Sequence, residues 1–346
     1  MPLIRRKFVQ KFNTVLVGIC GGLLTMGQAS ASGIEPAQTI VLWSSSKLQH
    51  DWGKDTPLPT EQVSAQGAVT DVRSPRVMLS LPAADSQNRH TAIIVFSGGG
   101  YAREQLGHEG TPISQWLAAQ GFTVFNTIYR LPDEGWTNPT VAWADAQQAM
   151  RLARGLAARY GYQRIGVMGF SAGGHIAGMI ATHAYIDYAN TPNAKASAST
   201  TPSPTTRPDF AVLLYPIVSM LPPDNRSRSY KTLLGDWQKK QQMGMITLSA
   251  LHQAEAAYSV ETAITSDTPP MFIAHAVDDR IAPVAKSQVL YTKLQQAGVA
   301  STLQLYASGG HGWGMGKPNT PTTGWRQAFL TWFDSCLLYT SPSPRD

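Results

Sequence analysis

A chain of 346 residues that is 43% hydrophobic and 14% charged is long enough to enclose one large core and too apolar to stay disordered. Its formal charge of +6 is concentrated near the N-terminus, where Arg5, Arg6, Lys7 and Lys11 cluster; the rest is close to neutral, which argues against a nucleic-acid partner. The two cysteines, Cys20 and Cys336, sit near the two ends, so the body of the chain has neither a disulfide framework nor a cysteine nucleophile.

Residues 1–31 read as an export leader. The basic cluster is followed by a mostly apolar stretch, Thr14 to Met26, and by Ala29-Ser30-Ala31, a small-x-small cleavage site. The apolar run is too short and too glycine-rich to span a bilayer, so cleavage after Ala31 is expected to leave no stable membrane span. Sec export is the expected route. Arg5-Arg6 also fits a twin-arginine leader, with Ile4 and Val9 departing from that pattern. Ile19 is too bulky for Cys20 to be a lipoprotein site. A periplasmic or extracellular location follows.

After a Ser/Gly/Pro-rich entry, Arg76 to Pro82 alternates as an antiparallel edge strand would, and Ala92 to Phe96 is a short apolar run of the kind buried on both faces. Ser97-Gly98-Gly99-Gly100 follows, then a helix over Pro112 to Gln120 and a strand over Phe122 to Ile128. Ala142 to Tyr160 is a long helix stopped by Gly161. Arg164 to Phe170 is a strand running into Ser171, with a helix-compatible run, His175 to His183, beyond it. Phe210 to Tyr215, Met271 to Val277 and Thr302 to Tyr306 are further strands, with a helix over Pro283 to Gln296.

Strands alternating with long helices imply an α/β fold whose mostly parallel central sheet carries helices on both faces. One domain is expected over 32–335. Thr191 to Pro208 is low-complexity and reads as a solvated surface loop, with a lid as the alternative; Asn225 to Met245 is polar and could help roof a site. Cys336 to Asp346, CLLYTSPSPRD, resembles a translated sequencing-library transposon adapter, so the native sequence is expected to diverge near Ser335.

The chemistry centres on Gly169-Phe170-Ser171-Ala172-Gly173, a G-x-S-x-G motif between a strand and a helix. That context is what a nucleophile elbow requires: a tight strand-to-helix turn that lifts the serine hydroxyl clear of the backbone. A serine hydroxyl needs a base. His311, in Gly309-Gly310-His311-Gly312-Trp313-Gly314 after the last strand, is placed to supply it. His175 and His183 read as packing or surface residues and His275 as a satisfied core histidine.

The imidazole needs an acid. Asp279 begins Asp279-Arg280-Ile281-Ala282-Pro283 and completes the order Ser…Asp…His, with Asp278 as its loop neighbour. For the oxyanion the candidates are the amides of Ala172, Gly99 and Gly100, with that of Tyr101 as a further possibility. The histidines lack metal-ligand spacing, so neither metal nor other cofactor is expected.

Six motifs carry a family resemblance: GGGY (Gly98 to Tyr101), HEG (His108 to Gly110), YRLP (Tyr129 to Pro132), the Asp145 to Arg151 helix segment, GFSAGGH (Gly169 to His175) and GGHGWG (Gly309 to Gly314). Together, over about Thr39 to Asp334, the chain resembles the acetylxylan-esterase-like branch of the α/β-hydrolases, relatives of the feruloyl esterases. The resemblance implies the α/β-hydrolase fold and a serine esterase that removes short acyl groups, acetyl above all, from plant polysaccharide or its oligosaccharides. The substrate is then a small-molecule or oligosaccharide ester.

Tyr101, Trp313 and Trp136 read equally as sugar-stacking platforms and as packing aromatics. Three other functions are weighed against the esterase. A general short-chain carboxylesterase is the alternative within the hydrolases. A prolyl-oligopeptidase-type peptidase would need a propeller-sized N-terminal region, and a binding protein on a hydrolase scaffold would not need all three relay residues.

Overall fold

The buried strands are apolar on both faces because each face is covered by helices. In β5 (Thr91–Phe96), Ala92, Ile94 and Phe96 enter one hydrophobic cluster while Ile93 and Val95 enter another, the two-residue alternation of a pleated strand. The structure is a computed structural model and describes residues 38–189, 206–223 and 227–336, all within one unit. The expected leader, most of the 191–208 loop and residues 337–346 of the tail lie outside the described residues.

The eight-stranded sheet runs in the order β1 (Gln38–Val41), β4 (Arg76–Ser80), β6 (Thr123–Ile128), β5, β7 (Arg164–Phe170), β8 (Phe210–Leu214), β9 (Met271–Ala276) and β10 (Ser301–Tyr306). From β6 onward all neighbours are parallel; β4 is antiparallel to both β6 and β1. The expected antiparallel strand therefore exists but is not the edge: β1, four largely exposed residues too few to give a periodic signal, covers it. A small hairpin, β2 (Gln62–Val63) and β3 (Val69–Thr70), stands apart.

One face is covered by α3 (Val141–Tyr160), α4 (Ala172–Thr182) and α7 (Val284–Gln296), which bring Trp143, Met150, Ile176, Met179, Leu290 and Leu294 to the larger cluster. On the other, α2 (Thr111–Ala119) and α8 (Trp325–Cys336) contribute Ile113, Leu117, Trp325, Phe329, Trp332 and Phe333. The helix α1 (Ser45–Trp52) precedes this layer arrangement, and α5 (Arg228–Gln242) and α6 (Leu248–Ala257) are inserted after β8.

Strand order places the site. The chain passes from β5 to β6 on one side and returns to β7 on the other, so β5 and β7 flank a topological switch point. In an open α/β sheet the crevice beyond the carboxyl ends of such strands is where ligands bind. The Gly98–Gly100 loop leaves β5 at that point and Ser171 leaves β7. Among the described residues no helix is long and apolar enough to cross a membrane.

Candidate active site

Ser171 stands between β7 and α4 with φ 53° and ψ −114°, a conformation that costs a non-glycine residue about 1–3 kcal/mol. Neighbouring contacts hold it there. Its amide donates to the Leu214 carbonyl at 3.0 Å, and its own carbonyl accepts from the His175 and Ile217 amides at 3.1 Å each. The turn is tight enough that a Cβ at Gly169 would stand 2.0 Å from the Gly173 carbonyl oxygen, and one at Gly173 would stand 2.1 Å from that of Phe96. Both flanking glycines of the motif are thus steric necessities.

The relay is assembled. Ser171 Oγ lies 2.7 Å from His311 Nε2, and His311 Nδ1 lies 2.7 Å from Asp279 Oδ2. With a carboxylate at Nδ1, the neutral imidazole is protonated there and its Nε2 lone pair faces the serine hydroxyl, the tautomer a general base needs. Asp279 Oδ1 accepts from the amides of Ile281 and Ala282 at 2.8 and 2.9 Å. Burial alone would raise this carboxyl; hydrogen bonds from His275 and His311, the His311 charge and the Ala282 amide outweigh it and hold the acid below the usual carboxylate range.

Asp278, expected to be a bystander, has a different task. Its Oδ1 accepts from the Gly310 amide at 2.7 Å, tying the histidine loop to the end of β9, and that hydrogen bond lowers its own pKa. His275 is buried and satisfied as expected: Nε2 faces Asp279 Oδ2 at 3.2 Å and the Ala282 carbonyl at 2.9 Å, and Nδ1 faces the Ser287 hydroxyl at 2.8 Å. Two acceptors at Nε2 make that nitrogen the donor. It is therefore also a second hydrogen-bond donor to the relay acid, a role its place in a buried strand did not announce.

The glycine loop closes the other side. Gly99 and Gly100, Ser171 and His311 line one cleft of about 350 Å3. Gly98 is not available to a substrate, because its amide donates to Glu109 Oε2 at 2.7 Å. Ala172 is the first residue of α4, where an amide has no acceptor within its own helix. Gly99, Gly100 and Ala172 thus lie around Ser171. Glu109, in a π-helical turn over Leu106–Gly110, is the buried residue that the sequence reading left without a task. Its Oε1 accepts from the Tyr215 hydroxyl at 2.8 Å, and that hydroxyl accepts from the Gly314 amide at 2.9 Å. His108 adds a bond from Nε2 to the Gly312 carbonyl at 2.9 Å. The HEG and GGHGWG motifs therefore meet in space and fasten the glycine loop to the histidine loop.

Two expected substrate contacts are corrected. Tyr101 is fully buried: Trp143 Nε1 donates to its hydroxyl at 3.0 Å, and the hydroxyl donates to His175 Nδ1 at 2.7 Å while His175 Nε2 donates to the Tyr258 carbonyl at 2.8 Å. Its ring anchors the end of the glycine loop from inside. Trp313 is 3% exposed and packs edge-on against Tyr215 at 4.4 Å, behind the histidine. Neither offers a ring face to a sugar. Trp136 is also largely buried, with Arg130 and Arg73 over its ring and Trp52 at its edge. The expectation for 225–245 holds in part: Ser227, Arg228 and Ser229 line the cleft, at and beside the start of α5.

Comparison with known proteins gives a consistent picture. Residues 78–294 match the family model described as BD-FAE. An acetylxylan esterase of Xylanibacter ruminicola is 33% identical over 229 residues, covering 65% of this chain and 41% of that protein. The endo-1,4-beta-xylanase B of Butyrivibrio fibrisolvens is 25% identical over 233 residues, covering 65% of this chain and 32% of that protein. The chain thus spans less than half the length of these curated relatives. Among solved structures, the acetyl ester-xyloside bifunctional hydrolase of Caldicellulosiruptor lactoaceticus superposes with a TM-score of 0.64 at 27% identity, covering 88% of this chain and 98% of the other.

Proposed function

The chain belongs to the BD-FAE family of the α/β-hydrolase fold, and from that premise we propose that it is an exported serine esterase that removes acetyl groups from xylan or its oligosaccharides. The observation that carries the reading is the unbroken relay Ser171–His311–Asp279, with 2.7 Å at both links, opening on the cleft that Gly99 and Gly100 line.

The reaction is acyl transfer in two steps. His311 Nε2 takes the proton from Ser171 Oγ as that oxygen attacks the ester carbonyl carbon. The carbonyl oxygen becomes the oxyanion and is met by the amides of Gly99, Gly100 and Ala172. The C–O bond to the sugar breaks, and the sugar oxygen leaves with the proton held by His311. Water then repeats the sequence on the acyl-enzyme: His311 accepts its proton, the hydroxyl adds, and Ser171 departs with that proton as acetic acid is released. Asp279, kept ionised by its four donors, stabilises the imidazolium formed in each step. The chain's own groups suffice for every proton moved.

The substrate class is supported by three of the relatives, an acetylxylan esterase, an endo-1,4-beta-xylanase and an acetyl ester-xyloside bifunctional hydrolase. A cleft of about 350 Å3 suits a short acyl group. Export is supported by the basic-then-apolar leader and its small-residue cleavage site.

The test is acetate release from acetylated xylo-oligosaccharides beside 4-nitrophenyl acetate and butyrate, with Ser171→Ala as control. Release from the sugar that disappears in the variant supports a carbohydrate deacetylase. Turnover of the aryl esters alone would make it a general short-chain carboxylesterase. No turnover of either ester would sink the reading.

A further inference from the structure

The cleft does not end at the relay. A second groove of about 740 Å3 adjoins it, lined by Asp133, Trp136, Lys231, Asp236, Trp237 and Lys240 among others, and Arg228 lines both spaces. The two cavities therefore share a wall at the start of α5.

The charge along this path is one-sided where it is uncommitted. Arg228 packs on the glycine loop: a Cβ at Gly100 would stand 2.7 Å from its Cγ. Arg103 flanks the preceding residue, 3.1 Å from a Cβ at Gly99, and lines the cleft too. Among the described residues no close ion pair joins either guanidinium, Lys231 or Lys240 to a carboxylate; Arg228 acts on Asp133 through space, and Arg103 Nε donates to the Gln105 side-chain oxygen at 2.9 Å. Lys239 meets Asp236 at 3.5 Å in an exposed pair. The acidic groups present are Asp133, Asp236 and, in the cleft, Glu109. Glu109 is already occupied by Gly98 and Tyr215.

An unpaired guanidinium at the mouth of a hydrolytic site is matched to a planar carboxylate, which it can bind through two parallel hydrogen bonds. The surroundings decide what bears that carboxylate. Thr232 offers a hydroxyl and Trp237 a half-buried ring, a mixture suited to a sugar. Asp133 and Asp236 interrupt the cations and would repel the closely spaced charges of a polyphosphate.

We propose that Arg228, Arg103 and the Lys231–Lys240 face of the groove bind the carboxylate of a uronic-acid substituent on the alcohol side of the ester, so that the preferred substrate is an acetylated acidic xylo-oligosaccharide rather than a neutral one. The proposal rests on the esterase reading above for the ester itself; the binding it describes does not require turnover. A uronate held at Arg228 places the adjoining sugar units over the Gly99–Gly100 loop, within the cleft that contains Ser171.

The test uses the Ser171→Ala protein, in which nothing is consumed. Its affinity is measured by calorimetry for a glucuronic-acid-substituted xylotriose and for neutral xylotetraose. The expected result is at least about tenfold tighter binding of the acidic sugar at low salt, shrinking in 0.5 M NaCl as the exposed charges are screened. In the Ser171→Ala background Arg228→Gln removes most of the preference. Because Arg228 abuts the glycine loop, Lys231→Ala/Lys240→Ala is the second variant, and it reduces the preference severalfold. Equal binding of the two sugars, or a preference untouched by both variants, overturns the proposal. Hydrolysis of 4-nitrophenyl acetate by the unaltered protein reports on the esterase reading separately.

Discussion

The hydroxyl of Tyr215 donates to Glu109 Oε1 at 2.8 Å, and through that bond two loops that never pair as secondary structure are held in register. On one side Glu109 takes the Gly98 amide; on the other Tyr215 takes the Gly314 amide and lies edge-on to the His311 ring at 5.0 Å. The Gly98–Gly100 loop and the His311 loop are therefore fixed relative to each other by one buried carboxylate.

Glu109→Gln keeps the shape but supplies one acceptor where two donors arrive, so either Gly98 or Tyr215 loses its partner. Since oxyanion donors act on the transition state rather than on bound substrate, kcat is expected to fall about tenfold or more with KM little changed. Steady-state kinetics on 4-nitrophenyl acetate check this. An unchanged kcat would show that the glycine loop holds its place without Glu109.

His275 acts on the acid rather than on the substrate. Removing its Nε2 donor by His275→Phe leaves Asp279 Oδ2 with His311 alone and the Ala282 carbonyl unsatisfied. The expected loss in kcat is about tenfold, far short of the roughly 10⁴-fold expected for Asp279→Asn, which inverts the tautomer of His311. In the unaltered enzyme the Asp279 carboxyl is held below the usual carboxylate range, so the acid limb of kcat/KM should show no step in that range. A step there would mean that Asp279 takes up a proton as an ordinary carboxyl does.

Much of this was legible in the sequence, and the division has a physical cause. The elbow is local: strand, glycine, serine, glycine and helix are contiguous, and Gly169 and Gly173 are there for contacts across a single turn. The order of serine, acid and histidine follows from the fold's strand order, so Asp279 and His311 could be chosen from their loops. Glu109 could not. Its partner Tyr215 is 106 residues away, and no periodicity encodes that contact. Tyr101 and Trp313 were ambiguous because an aromatic ring has the same apolar character whether it stacks on a sugar or fills a core. The edge strand β1 was invisible because its pattern, largely exposed, has no apolar face to count.

His175 offers a stability test. Burial pushes its pKa down to about 4, so the folded protein refuses a proton that the unfolded chain takes below its ordinary value near 6.5. The unfolded state binds more protons in that window, so this histidine's contribution to stability falls as pH falls from 6.5 toward 4. Comparing denaturant unfolding of the unaltered protein and His175→Gln at pH 7 and pH 5, the difference between them should move by about 2 kcal/mol in favour of the variant at the lower pH. A difference independent of pH would mean that His175 is protonated inside the fold.

Gly173→Ala tests the steric reading of the elbow. The added methyl group would meet the Phe96 carbonyl at 2.1 Å, backbone that cannot swing aside as a side chain does. The expected cost is about 1–3 kcal/mol of stability together with loss of activity, as Ser171 is displaced from His311. Gly155→Ala, in a position with nothing within 4 Å, is the control and should be neutral or slightly stabilising. Thermal melts of the two variants decide between a steric requirement and a general intolerance of alanine.

The central claim is that Ser171 is the nucleophile, and covalent trapping tests it most directly. The protein is treated with a fluorophosphonate, which reacts with a serine only when a base activates it, and the labelled peptide is mapped by mass spectrometry. The account predicts one adduct, on Ser171, that disappears in Ser171→Ala and is strongly slowed in His311→Ala. An adduct on another residue, or acetate release that survives in Ser171→Ala, would contradict it.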